Sequence, residues 1–503
     1  MLKRMLAMGL TVGVAFGILT SCGDSSSKKS PQQGKGALIT LIGDVPLCDV
    51  LSFRMSVTSM KLTPQGGGSA LEVLPTASTF RLNLGTLRDS STILNLASVT
   101  EGTYDEVTLG LSVPQLGVYD SSQSPPSEVI TSQFETGTPT ASIQPPLIVS
   151  KDKVSALRID FDMLRSIELD ANGQVTGKVT PVFTLTAVNP SESQNLAEFD
   201  DLVGFVRSVS TSSTNPDFIG GFLMQLLSAS VPAGPAVNVN LLPDCTAQPT
   251  KCTQMFGTPA LNELLTGSFM ELEGFVDSKG NLVATTVEVE DREDATQNKV
   301  ALIGLVTSLT KGSNGNLTQF GLWVRQEEPD ASMVIGGTTV PLDSIVAVNV
   351  SSSTTYQFSS RTTNFANLVF DPTALAVGQE VVVHGPYTKL EDQSVTVAAE
   401  KVYLKLQPFQ GRFASLVQVG SDDKTGAFQL APCCTLLQGT PIYVLTNNET
   451  AFVNLSGLSA LSPQPTLLVR GLPFLQPQGG TINGVPVPAG TLVMLAKQVH
   501  QLQ

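Results

Sequence analysis

From residue 37 onward, apolar and polar residues alternate in short runs. Ala37-Leu38-Ile39-Thr40-Leu41-Ile42-Gly43-Asp44 and Leu51-Ser52-Phe53-Arg54-Met55-Ser56-Val57 are the first of them. Successive side chains of a strand point to opposite faces, so a period of two predicts half-buried strands. Residues 106–113, 156–161 and 179–188 continue the pattern, and no long segment of 3.6-residue period intervenes. The chain is therefore predicted to be all-β, with a β-sandwich over residues 37–190. The Ser- and Pro-rich stretch 119–146 is predicted to be a long connection or a ragged insertion in that domain.

Beyond residue 195 the pattern repeats itself. Gly204-Phe205-Val206-Arg207-Ser208-Val209, Gly304-Leu305-Val306-Thr307-Ser308-Leu309 and Gly411-Arg412-Phe413-Ala414-Ser415-Leu416 open three segments of similar length. Each closes with a strand, a glycine, a hairpin and a returning strand, as in Leu272-Glu273-Gly274-Phe275, Val382-Val383-His384-Gly385 and Leu468-Val469-Arg470-Gly471. This predicts three tandem small β-barrel-like modules at residues 200–292, 299–406 and 409–503. The third departs through its Pro-rich stretch 473–488.

The N-terminus follows a different pattern. Met1-Leu2-Lys3-Arg4 is basic, residues 5–19 form an apolar run too short to span a bilayer, and the run closes on Leu19-Thr20-Ser21-Cys22. This resembles a lipobox: a large aliphatic residue, two small ones, then a cysteine whose thiol is acylated. Residues 1–21 are predicted to be a lipoprotein signal peptide, Cys22 the lipid anchor, and the Gly- and Ser-rich residues 22–36 a flexible tether. The expected location is the bacterial cell envelope, in the outer membrane given Gly23, with the membrane engaged through lipid.

Composition narrows the function. At 503 residues several domains are expected, and 14% charged residues with 43 Gly and 31 Pro suit an exported, turn-rich β protein. The net charge of −14 disfavours nucleic acid, whose phosphates need Lys and Arg. Among the cysteines, Cys245 and Cys252 flank a short loop and are favoured as a disulfide in an oxidising compartment. For the adjacent Cys433 and Cys434, one buried and one outward thiol is favoured over a vicinal disulfide.

Candidate chemistry is sparse. The two histidines, His384 and His500, stand in predicted strands and read as packed or surface residues. No nucleophile elbow, zinc-hydrolase motif or phosphate loop is present, and no cofactor is implied. Asp160 and Asp162 share a strand face and could chelate calcium; a structural cluster neutralised by Arg165 is the favoured reading. Glu271 and Glu273, like Glu288 and Glu290, are read as the outward face of a sheet. Sugar binding usually employs exposed aromatic platforms, and with one Trp, Trp323, and six Tyr an aromatic-lined groove is unremarkable here.

Residues 37–190 resemble the exported lipoprotein family known as domain of unknown function 4382. The resemblance rests on Gly43-Asp44-Val45-Pro46, Val57-Thr58-Ser59-Met60-Lys61-Leu62, Glu101-Gly102-Thr103-Tyr104, and above all Ile159-Asp160-Phe161-Asp162-Met163-Leu164-Arg165-Ser166 followed by Lys178-Val179-Thr180-Pro181-Val182. The later repeats resemble tandem envelope modules known as domain of unknown function 5666. Both resemblances imply architecture and location, not activity. The expectation is a noncatalytic envelope lipoprotein that binds an envelope or surface protein or glycan. The alternative is an envelope hydrolase acting on glycan or ester substrates, with acids assembled only in three dimensions.

Overall fold

The computed structural model describes residues 34–502 apart from 46–49, 75–79, 88–90, 113, 120–126, 135–136, 172–173, 189–194, 228–235, 244, 246–251, 258–259, 290–297, 329–339, 359–367, 393, 434–436, 438–440 and 462–464. The expected leader, Cys22 and nearly all of the tether lie outside the described residues. The fold is all-β. Among the described residues the sole α-helix is the single turn Met163–Ser166.

The N-terminal domain is built on an 11-stranded sheet. One half orders Ser91–Thr100, Lys35–Val45, Val154–Asp162 and Phe183–Val188; the other orders Thr140–Val149, Gly102–Leu111, Val50–Pro64, Gln115–Tyr119 and Ser127–Thr131. The halves are joined through the register pair Ile143 and Leu185. Both bury one core, with Leu38, Ile42 and Ile159 from the first half and Val57, Met60 and Leu109 from the second. Phe53 and Phe161 meet across it with ring centroids 5.1 Å apart. The sandwich is thus one sheet folded over on itself.

Two local expectations are corrected. Stretch 119–146 is not a bare connection, because Ser127–Thr131 pairs with Gln115–Tyr119 and Thr140–Val149 pairs with Gly102–Leu111. Its prolines misled the reading, but the ladder register breaks between Ser142 and Leu147 and accommodates Pro145 and Pro146, which have no N–H to give. The run 179–188 is likewise two strands, Val175–Val179 and Phe183–Val188, split around Pro181.

Three further sheets close on themselves. In the first, Ala236–Leu241, Gly220–Leu226, Ala197–Ser210, Phe269–Val276 and Leu282–Val289 follow in order, and Val239–Leu241 pairs in parallel with Leu282–Ala284 to shut the ring. The sheets spanning Lys299–Leu404 and Gln407–Gln501 shut by the equivalent parallel pairings, Ile345–Asn349 with Val395–Ala398 and Ile442–Thr446 with Thr491–Gln501. The shared order, first strand to second, third, fifth, fourth and back to first, is that of OB-type Greek-key barrels. One glycine recurs for a common reason. A Cβ on Gly274, Gly385 or Gly471, all in the fourth strand, would collide with a carbonyl of the facing strand, that of Val283, Ala398 or Leu495.

The barrels do not hang as separate beads; residues 34–503 form one compact unit. Ile39, Leu41, Ile93 and Ala156 on the outer face of the N-terminal sheet join the core of the first barrel beside Phe199 and Leu202. The Pro-rich stretch of the third barrel forms the hairpin Gly480–Ile482 and Val485–Val487, which packs with Phe474 into the core of the second. Phe358 and Phe474 meet there with centroids 5.8 Å apart. These contacts bury apolar surface between neighbouring modules.

Candidate functional site

Glu271 and Glu273 face outward from their own sheet yet are buried. Glu271 is 2% exposed, and its carboxylate stands 2.5 Å from the Lys405 ammonium. Glu273 receives Lys497 at 2.5 Å, and Arg470 lies 3.9 Å away. Alternation in sequence put these glutamates on the outside of their own sheet correctly. That outside is covered by the strand ends of the other two barrels, which bring the opposite charges. Desolvated carboxylates are tolerated only when paired, and these are. Glu290 lies outside the described residues.

Trp323 is buried at another junction between modules. It is 2% exposed and wedges between Leu51 and Leu305, with its indole against Gly117, where no Cβ would fit. Beside it, the buried Arg325 donates from Nε to the Leu51 carbonyl at 2.5 Å and from Nη1 to Glu380 at 2.9 Å. Arg54 returns the contact through an ion pair with Asp343 at 2.6 Å. Trp323, Arg325 and Arg54 thus form the dock between the N-terminal domain and the second barrel.

Asp160, Asp162 and Arg165 end up with different partners from those expected. Asp160 pairs with Arg158 at 2.9 Å. Asp162 caps the turn Met163–Ser166 by accepting the backbone N–H of Arg165 at 2.9 Å, so Arg165 meets it through the main chain, not the guanidinium. The turn forms because Met163 and Ser166 face inward: Met163 is fully buried in the core, and the Ser166 hydroxyl accepts the N–H of Val182 at 2.9 Å. Leu164 and Arg165 are consequently turned outward. Among the described residues, no group of three or more His, Cys, Asp or Glu side chains could hold a metal ion.

Outward from that turn opens a cavity of about 1030 Å³ between the N-terminal domain and the third barrel. Asp162, Leu164 and Arg165 form one wall; Arg412, Cys433 and His500 stand on the other. Arg412 comes from the first strand of the barrel, and His500 from its fifth, where Asn454 Nδ2 lies 3.2 Å from His500 Nε2. Neither Arg412 nor His500 carries a local motif, since the cavity exists only once the two domains meet. A second cavity, of about 820 Å³, lies between the N-terminal sheet and the first barrel.

Cys245 and Cys252 are joined by a disulfide. Cys433 is also disulfide-bonded, so it is not the free thiol that adjacency to Cys434 suggested. Its partner, like Cys48 and Cys434 themselves, lies outside the described residues.

Comparison with known proteins adds one observation to this geometry. Residues 35–178 match the family described as Domain of unknown function (DUF4382). The match covers the N-terminal domain up to residue 178, short of the strand Phe183–Val188, and includes the cavity wall carrying Asp162, Leu164 and Arg165. None of the curated proteins matches the chain.

Proposed function

We propose that the protein is a noncatalytic lipoprotein of the bacterial cell envelope, held in the outer membrane by acyl chains on Cys22, that presents a binding cleft formed between its N-terminal domain and its last barrel. The observation that carries this reading is how the charged groups are distributed. Glu271 and Glu273, the strongest acid candidates, are consumed in ion pairs between modules. The open cleft contains a single carboxylate, Asp162, among the described residues that line it, whereas glycoside hydrolysis needs two across a substrate. The shared strand order and the recurrent fourth-strand glycine support reading the barrels as copies of one module of the kind that resembles domain of unknown function 5666.

Metabolic labelling with an alkyne palmitate in a bacterial host tests the anchor. Wild-type protein is expected to take up label and to sediment with outer membranes; Cys22→Ser is expected to do neither. Unlabelled protein that keeps its leader would overturn the reading, as would turnover of glycan or ester substrates by the purified chain.

A further inference from the structure

We infer that the cleft between the Met163–Ser166 turn and the third barrel binds a small organic or inorganic oxyanion, a carboxylate or phosphate group, gripped by the guanidiniums of Arg165 and Arg412. This rests on the binding reading above and adds the chemistry of the ligand.

Several other arginines of this molecule pair with carboxylates. Arg54 pairs with Asp343, Arg158 with Asp160, and Arg325 with Glu380. In a chain with 43 acidic residues against 29 basic ones, an arginine readily finds a carboxylate. The guanidiniums of Arg165 and Arg412 form no hydrogen bond or ion pair among the described residues, yet both line one cavity. Their planar donor forks are shaped for the two oxygens of a carboxylate or phosphate.

The remaining walls suit the rest of such a ligand. Leu164 is 49% exposed and, with Pro432 and Leu502, offers apolar cover on the cleft rim. The His500 and Asn454 side chains add polar contacts in between. Asp162 opposes an anion, but its Oδ1 already accepts the Arg165 N–H, and the cavity lining carries two guanidiniums against this one carboxylate. Among the described residues that line the cavity none is Phe, Tyr or Trp, which disfavours stacking on a neutral sugar ring and leaves charge as the main recognition element. Because the walls belong to two domains, the ligand would also bridge them.

The test is titration calorimetry of the purified full chain at low ionic strength, with citrate in one arm and inorganic phosphate in the other. Saturable binding of at least one anion is expected, and the arm that binds more tightly identifies carboxylate or phosphate as the preferred group. Arg165→Gln and Arg412→Gln should each weaken it by about tenfold, the loss of one charge-assisted contact. Raising salt should weaken it further. Arg158→Gln, outside the cleft, should bind as wild type does, and unchanged melting temperatures in all variants would establish that folding is intact. Absence of heat with both anions, or equal affinity in the Arg165 and Arg412 variants, would overturn the inference. Palmitate labelling in the same preparation separates this failure from failure of the envelope reading, since it does not depend on the cleft.

Discussion

Lys497 places its ammonium 2.5 Å from both carboxylate oxygens of Glu273, a residue 224 positions earlier in the chain. The pair ties the last strand of the third barrel to the fourth strand of the first. Breaking one side leaves charge stranded in a poorly solvated junction. Glu273→Ala is therefore expected to lower unfolding free energy by about 3 kcal/mol, measured by denaturant titration. The double replacement Glu273→Leu with Lys497→Met should recover part of that loss, because the lysine charge no longer faces an empty site, although Arg470, 3.9 Å from Glu273, still loses that partner. Equal stability of wild type and the single variant would remove the pair from the account of the junction.

Trp323 is expected to matter as much through packing as the glutamate does through charge. Trp323→Ala empties the space between Leu51 and Leu305 and should destabilise by about 3–5 kcal/mol. Limited proteolysis should then cleave between the N-terminal domain and the second barrel at rates well above wild type. A substitution without effect on either measurement would show that the dock relies on Arg325 and Arg54 alone.

Tyr356 provides a handle on alkaline pH. Burial, and secondarily the Asp371 charge, pushes its phenol up to about 12 from the ordinary 10.0. Below pH 10 the hydroxyl is neutral in both folded and unfolded chains and the difference has no effect. Between pH 10 and about 12 the unfolded chain releases this proton while the folded chain keeps it, so stability falls as pH rises through that window. Tyr356→Phe should show a shallower alkaline loss. Its hydroxyl oxygen is buried without a hydrogen-bond partner, so near neutral pH the variant should match wild type or gain up to about 1 kcal/mol. A marked loss at neutral pH would contradict this.

The disulfide between Cys245 and Cys252 closes a short loop, with a sequence separation of 7. On the chain-entropy relation, its removal should cost about 2–3 kcal/mol. Cys245→Ser with Cys252→Ser is expected to lower the melting temperature without changing the secondary structure seen by circular dichroism.

The sequence made the strands legible because a period of two survives wherever one face of a sheet is buried, as in residues 51–57 and 156–161. The same logic failed at Glu271 and Glu273 for an instructive reason. Alternation tells which side of its own sheet a residue occupies, but not whether a distant module covers that side. The clue was there in retrospect: Lys405 and Lys497 stand in or just beyond the closing strands of later barrels, where they could meet first-barrel acids. In the cleft, Asp162 and Arg165 were visible through the resemblance they carry. Arg412 and His500 were not, since nothing within either neighbourhood hints at the surface opposite.

The hairpin of the third barrel, with Ile482, Val485 and Val487 lodged in the core of the second, has a consequence for anyone who would dissect the molecule. Cutting between the two barrels would bare apolar side chains on both fragments, so neither piece should behave as a well-mannered monomer. Dissection, ancestral recombination and domain transplantation are thus predicted to succeed only when these two barrels travel together.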